Sequence, residues 1–296
     1  MGWKIDSLPD QSGKTCIVTG ANVGIGFATV NYLAAKGANV ILACRNVDKG
    51  IAALADIRKA TPSADVTVEK LDLASLASVR SFADTVLARY QGLDVLINNA
   101  GVALPPPGKT EDGFEIQFGT NVLGHFALTG LLLPLLSKTP GARIVTLSST
   151  AHWFAKIDFD NLNAERNYDK TKAYGQSKLA DLMFAYELQR RLEKTGSTTM
   201  SLAVHPGVAM SELFRYSAGL NFFLGFLSQS IHEGAWPTLM AAVDPSLKGG
   251  EFIGPGGFLT IKGEPTVQRS SDRSHDPAVA SRLWDVAQTL TGVKYL

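Results

Sequence analysis

The stretch Thr15-Cys16-Ile17-Val18-Thr19-Gly20-Ala21-Asn22-Val23-Gly24-Ile25-Gly26 decides the fold. Its first five residues form a short buried strand. Residues Gly24 to Lys36 then carry a helical pattern that Gly37 stops. A strand, a glycine-rich turn and a helix in this order make a phosphate cradle. Gly20 takes the tight turn, Gly24 lets backbone approach a pyrophosphate, and Gly26 lets the helix pack closely on the sheet. The helix N-terminus presents free N–H groups to the phosphates. A plain glycine-rich turn is the alternative, but the place between first strand and first helix favours a dinucleotide. Gly13-Lys14-Thr15 resembles the end of a P-loop; Leu8 at the upstream glycine position, and Lys14 opening a strand, exclude that reading.

Outward from this turn, apolar strands alternate with helical patterns. Strands are expected at 39–44, 66–71, 95–98, 143–147 and 200–204, and helices at 47–59, 75–90 and 174–193, with a long helical stretch between the strands at 95–98 and 143–147. Continuous apolar strands, each followed by a helix, imply a parallel sheet covered on both faces. The fold class is α/β: a single-domain, Rossmann-type doubly wound parallel sheet of about seven strands with helices on both faces. One domain spans 1–296, with a substrate lid at about 208–232 and a C-terminal tail at about 262–296.

Composition agrees. Of the 296 residues, 45% are apolar and 19% charged, and 28 Lys+Arg against 27 Asp+Glu leave a net charge of +1. Such a chain buries a large core and is not disordered. It has no field to draw it onto nucleic acid. Cys16 and Cys44 sit in apolar runs and read as buried, reduced thiols. The first ten residues lack an apolar signal region. No uncharged apolar run reaches the ~18 residues of a membrane span, since His125 and Pro134 interrupt the closest, 122–136. The expected compartment is cytoplasmic. No metal site is expected from five scattered histidines without an HxxxH or CxxC pair.

At the end of the second strand, Ala43-Cys44-Arg45 carries no acid to accept ribose hydroxyls. A guanidinium can instead hold a 2′-phosphate, which favours NADP(H) over NAD(H); the alternative is a surface arginine. Tyr174 and Lys178 stand four apart at a helix start, on one face. A phenol is a poor acid–base at neutral pH, and an ammonium one turn away brings its ionisation within reach. The spacing also occurs by accident in surface helices. Ser148-Ser149 closes a strand, where a hydroxyl can hold a carbonyl oxygen.

Together these pieces resemble the short-chain dehydrogenase/reductase family: Thr19 to Gly26, Asn98-Asn99-Ala100-Gly101, Ser149, Tyr174 with Lys178, and His205-Pro206-Gly207, in the family's order from about Thr15 to Ser211. The resemblance implies roles. Tyr174 is the general acid in reduction. Lys178 lowers its pKa and bonds the nicotinamide ribose. Ser149 polarises the substrate oxygen, and Asn121 anchors a proton-relay water. Asp72 with Leu73 touches the adenine, and Asn99 with Ala100 and Gly101 lines the cofactor beside Gly20, Asn22, Val23, Gly24, Ile25, Gly26 and Arg45. Pro206, Gly207, Val208 and Ser211 flank the nicotinamide. Some NADP-using relatives carry a basic residue where this chain has Val23, so Arg45 alone carries the NADP expectation.

Tyr174 follows Ser149 by 25 positions, roughly twice the usual spacing. That insertion and the tail (Ser271 to Asp276, Arg282 to Asp285) look like the retinol dehydrogenase, WW-domain oxidoreductase and protochlorophyllide reductase branch. The lid carries Leu213, Phe214, Tyr216, Leu220, Phe222, Phe223, Leu224, Phe226 and Leu227. It reads as lining for a lipophilic substrate, as self-packing, or as a peripheral membrane contact. His152, Trp153 and Phe154 add to this pocket or to the core. His125 and His205 read as structural. The resemblance also implies pairing of two copies through the helices after the fourth and fifth strands, which the insertion would obstruct. The expected function is NADP-dependent interconversion of a lipophilic aldehyde or ketone and its alcohol. The competing class is a catalytically silent dinucleotide sensor or interaction protein.

Overall fold

A computed structural model describes residues 2–207, 229–257 and 260–296. Strands β1 (Thr15–Thr19), β2 (Asn39–Cys44), β3 (Val66–Lys70), β4 (Val95–Asn98), β5 (Arg143–Leu147), β6 (Met200–Val204), β7 (Phe252–Pro255) and β8 (Pro265–Gln268) form one sheet in the order β3-β2-β1-β4-β5-β6-β7-β8. The first seven are parallel and β8 pairs antiparallel with β7, Phe252 opposite Gln268 and Ile253 opposite Val267. The expected parallel sheet is therefore present, with an added antiparallel edge. Pro265 opens that edge strand, where a missing N–H costs no ladder bond.

Helices α1 (Gly24–Ala35), α2 (Val47–Ala60) and α6 (Ile231–Val243) cover one face, burying Leu33, Ile57 and Leu239 against Val18, Val40 and Val204. Helices α3 (Leu76–Arg89), α4 (Gly124–Lys138), α5 (Lys170–Lys194) and α7 (Pro277–Thr291) cover the other, with Phe82, Leu132, Met183 and Trp284 around Leu96 and Ile144. The chain reverses direction of winding between β1 and β4, and the cleft outside their carboxyl ends is where such sheets bind ligands.

Three differences from the sequence-based expectation have physical causes. Helix α5 starts at Lys170 rather than Tyr174, because the Asp169 carboxylate accepts from the N–H groups of Thr171 and Lys172 at 2.9 and 3.1 Å. The end of the expected lid is helical: Ser230 caps α6 in a capping box with Glu233. The expected tail is structured. Asp276 caps α7, Pro277 occupies its first turn, and Gly292 ends it in the left-handed conformation at φ 66°. Ala280, Leu283, Trp284 and Ala287 complete the core on that side. The insertion joins it too, with Ile157, Phe159 and Leu162 packed on the same cluster and the Arg282 guanidinium 4.0 Å from the Phe159 ring centre.

Among the described residues one helix, Phe118–Lys138, is long and apolar enough to cross a membrane by length and composition alone, and 78% of that window is buried inside the protein. Both cysteines are free and buried. Burial pushes the Cys16 thiol up to about 12, so it is inert as a nucleophile.

Candidate active site

The glycine-rich turn leaves β1 and enters α1 under close constraint. Gly20 lies at φ 63°, and a Cβ there would stand 2.8 Å from the Ala100 Cβ. At Gly26 a Cβ would stand 2.5 Å from Asn99 Nδ2 and 2.8 Å from the Gly20 carbonyl oxygen. Asn99 cannot step aside, since Nδ2 donates to the Thr19 carbonyl at 2.7 Å and ties β4 to β1. The Gly26→Ala variant should lose about 1–3 kcal/mol of stability through this overlap and bind dinucleotide at least tenfold more weakly. Thermal unfolding and fluorescence titration with NADPH check both. The N-terminus of α1 has Val23 at its cap, no side-chain cap bond and no acid in its first turn. Its N–H groups open onto the cleft, which fits a bound pyrophosphate.

The same cleft is lined by Gly20, Asn22, Val23, Gly24, Ile25, Gly26, Arg45, Asp72, Leu73, Asn99, Ala100 and Gly101, and at its other end by Ser149, Tyr174, Lys178, Pro206 and Gly207. Elements far apart in sequence thus converge on one place. Leu71, Val102, Ala103, Thr120 and Leu147 line it as well and were not read from sequence as site residues, and Ser148 joins Ser149 there. Val208 and Ser211 lie outside the described residues, as do the nine aromatic and leucine residues of the expected lid. His152 is buried, while Trp153 and Phe154 are exposed, so these two are not core residues.

Tyr174 and Lys178 stand one turn apart on α5, both buried. The ammonium of Lys178 donates to the Leu147 carbonyl at 2.9 Å and to Asp181 Oδ2 at 2.8 Å. Burial alone would lower its pKa, but the charges of Asp181 and Tyr174 outweigh that and hold it above the usual lysine range. Burial pushes the Asp181 carboxyl up to about 6 against the pull of Lys178, so the pair is ionised at neutral pH. Sequence reading missed Asp181, although Tyr174, Lys178 and Asp181 fall at i, i+4 and i+7 on one helix face. Tyr174 also departs from expectation. Burial raises its phenol above the ordinary value, and Asp181 adds to this; Lys178 and the Ser149 hydroxyl act the other way without prevailing. Spacing showed the ammonium but not the desolvation.

Ser149 ends β5's extension with its hydroxyl accepting from the Ala151 N–H at 3.2 Å. His152 fixes it from below: Nδ1 donates to the Ser149 carbonyl at 2.6 Å, leaving Nε2 to accept from the Ser271 N–H at 3.2 Å. Asn121 does not line the cleft. It is fully buried in a π-helical turn, Phe118–Leu123, that runs into α4. Its side chain accepts from the Val102 N–H at 2.8 Å and donates to Val102 O and Ser177 Oγ, each at 3.0 Å. It braces the wall behind Gly101 and Lys178. Its carbonyl oxygen accepts from His125 Nδ1 at 2.8 Å, so His125 Nε2 accepts from the Thr19 hydroxyl at 2.9 Å. Burial holds His125 neutral, its pKa lowered to about 3. His125 and His205, the latter bonded to Gln268 at 2.9 Å, are the structural histidines expected.

A phosphate cradle at one end of a cleft and a Ser–Tyr–Lys cluster at the other define a dinucleotide-dependent oxidoreductase. The chain belongs to the short chain dehydrogenase family, which matches residues 14–218. It is 42% identical to retinol dehydrogenase 12 of Mus musculus over 288 residues, 96% of this chain and 88% of that protein. It is 43% identical to retinol dehydrogenase 11 of Homo sapiens, covering 95% of this chain and 86% of that one. An uncharacterised protein of Mycobacterium paratuberculosis superposes with a TM-score of 0.84 at 42% identity over the whole of both chains. The RhlG/NADP active-site complex of Pseudomonas aeruginosa shares the fold, with a TM-score of 0.66 at 23% identity over 82% of this chain and 94% of that one. The chain is thus an NAD(P)-dependent dehydrogenase/reductase of the retinol dehydrogenase-like branch, acting on a small alcohol or carbonyl compound.

Proposed function

We propose that this protein is an NADP-dependent reductase of lipophilic aldehydes or ketones, with Tyr174 as proton donor. The observation that carries the reading is the convergence of Ser149, Tyr174 and Lys178 on the cleft that the glycine-rich turn opens. The bound nicotinamide supplies a hydride to the carbonyl carbon. Ser149 holds the carbonyl oxygen, Tyr174 gives that oxygen its phenolic proton, and the electron pair of the broken C=O π bond becomes the new O–H bond. Lys178 stabilises the phenolate left behind, which regains a proton from solvent. Alcohol oxidation is the reverse and needs Tyr174 as phenolate.

NADP preference rests on Arg45. It lies one residue beyond β2, exposed on the rim of the cleft, and forms no ion pair with another described residue. A guanidinium so placed can grip a 2′-phosphate with two parallel bonds. Arg45→Ala should weaken NADPH binding by roughly tenfold and leave NADH unchanged. Titration of both cofactors checks this, and equal affinities in the parent protein would remove the preference.

The lipophilic substrate is supported by the apolar lid sequence at 208–227 and by the relatives named retinol dehydrogenases. A panel of short, polar and long-chain apolar aldehydes, followed by NADPH absorbance, tests it. Faster turnover of the polar members would contradict the assignment.

A further inference from the structure

Ser149 begins a short 3₁₀ helix, Thr150–Phe154, that is gripped by a segment more than a hundred residues further along the chain. His152 lies in this turn and is fully buried. The Ser149 carbonyl takes two bonds from it, the backbone N–H at 3.1 Å and Nδ1 at 2.6 Å. That fixes the tautomer, so Nε2 accepts, and its donor is the Ser271 N–H at 3.2 Å. Phe252 of β7 sets the plane of the ring, edge-on with centres 5.5 Å apart, and is itself stacked on His205 at 5.1 Å. Two residues beyond Ser271, the Arg273 guanidinium donates to the Ala155 carbonyl at 3.0 Å. Residues 271–273 thus hold the turn at its middle and at its end.

That grip is anchored in its turn. Ser270 Oγ meets the Tyr186 hydroxyl of α5 at 2.8 Å and Ser274 Oγ at 2.8 Å, and the Ser274 N–H donates to the Ser271 carbonyl at 3.0 Å. Helix α5 also packs directly on the turn. A Cβ at Gly175, next to Tyr174, would stand 3.3 Å from the Ala155 Cβ and 3.4 Å from the Ala151 carbonyl oxygen. The Ser149 hydroxyl accepts from the Ala151 N–H, a bond inside the turn, so the hydroxyl moves wherever the turn moves. His152, Ser271 and Arg273 do not line the cleft.

We infer that His152 and the segment Ser271–Arg273 are positioning residues for Ser149: they hold its hydroxyl where it meets the substrate oxygen beside Tyr174. The inference rests on the reading of Ser149 as the group that holds the carbonyl oxygen, and it adds that the carboxyl-terminal part of the chain sets the place of that hydroxyl. The rate penalty for losing such support is large for a small displacement, because a shift of about 1 Å in a reacting group costs up to roughly a hundredfold.

Two variants test it, read as the rate of aldehyde reduction per bound NADPH with the fastest member of the panel above. His152→Phe keeps a ring against Phe252 and removes both side-chain bonds. It should lower this rate by roughly ten- to a hundredfold, with NADPH affinity unchanged. Arg273→Met removes the second hold at an exposed position outside the cleft and should lower the rate several-fold. Expressing the rate per bound NADPH cancels chains that fail to fold. A merely structural role would reduce the amount of NADPH-binding protein and leave that rate at the parent value. A parent rate in either variant overturns the inference; should His152→Phe not fold, Arg273→Met decides alone. Undiminished reduction by Ser149→Ala would instead refute the reading of Ser149 on which the inference stands.

Discussion

Tyr174→Phe should abolish carbonyl reduction while leaving cofactor binding intact. The substitution removes one oxygen from a buried ring and creates no overlap, because phenylalanine occupies the space that tyrosine leaves. Ser149 stays in place through its own bonds to Ala151 and His152, neither of which involves Tyr174. Lys178 keeps its contacts with Leu147 and Asp181. The loss is therefore that of the proton donor, and positioned general acids contribute about 10²- to 10⁴-fold. Rates of NADPH consumption with an aldehyde measure it, and NADPH fluorescence confirms that the variant still binds. Undiminished reduction in the variant would show that the proton comes from elsewhere and would end the mechanism.

Trp284→Ala should be the most damaging single change outside the cleft. The indole is 2% exposed and touches three rings: Phe126 edge-on at 5.0 Å, Phe184 stacked at 5.9 Å and Tyr295 tilted at 4.8 Å, with the Arg191 guanidinium 4.5 Å above it. Truncating a buried tryptophan costs about 3–5 kcal/mol through lost transfer energy and the cavity left behind. In a chain of this length that is on the order of 10 °C in Tm. The comparison with Trp284→Phe sharpens the prediction. The indole N–H has no hydrogen-bond partner among the described residues, so phenylalanine loses area and no hydrogen bond. It should cost well under half as much. Thermal unfolding of the two variants decides; equal losses would mean that the ring contacts do not hold α7 in place.

Much of this architecture is legible in the residues. Strands β1, β2, β4, β5 and β6 read as mainly apolar runs without polar alternation because both faces of the sheet are covered. The glycine turn reads clearly because only glycine fits at Gly20 and Gly26. β8 does not read, since Pro265 to Gln268 is four residues long with two of them exposed and carries no apolar run. α7 carries clear signals at both ends, Asp276-Pro277 at its start and Gly292 at its end. Nothing local says that its apolar face closes the core over α4 and α5. The site divides in the same way. Tyr174 and Lys178 are visible as a spacing, but the ionisation of Tyr174 depends on how dry its surroundings are and on Asp181, which only the folded packing reveals. Asn121 is visible as a motif, and its withdrawal behind Gly101 is not.

The closure of the core by α7 has a consequence for the life of the chain on the ribosome. Phe126 and Phe184 belong to helices made well before Trp284 and Tyr295, which cover them. Until synthesis reaches them, the outer side of α4 and α5 faces water as an apolar surface, of the kind that aggregates when exposed. The described residues that line the dinucleotide cleft all precede residue 208, yet the nascent protein cannot seal its interior until α7 has been made. Chaperone demand and sensitivity to premature termination should therefore concentrate before α7, far in sequence from the residues that carry out the chemistry.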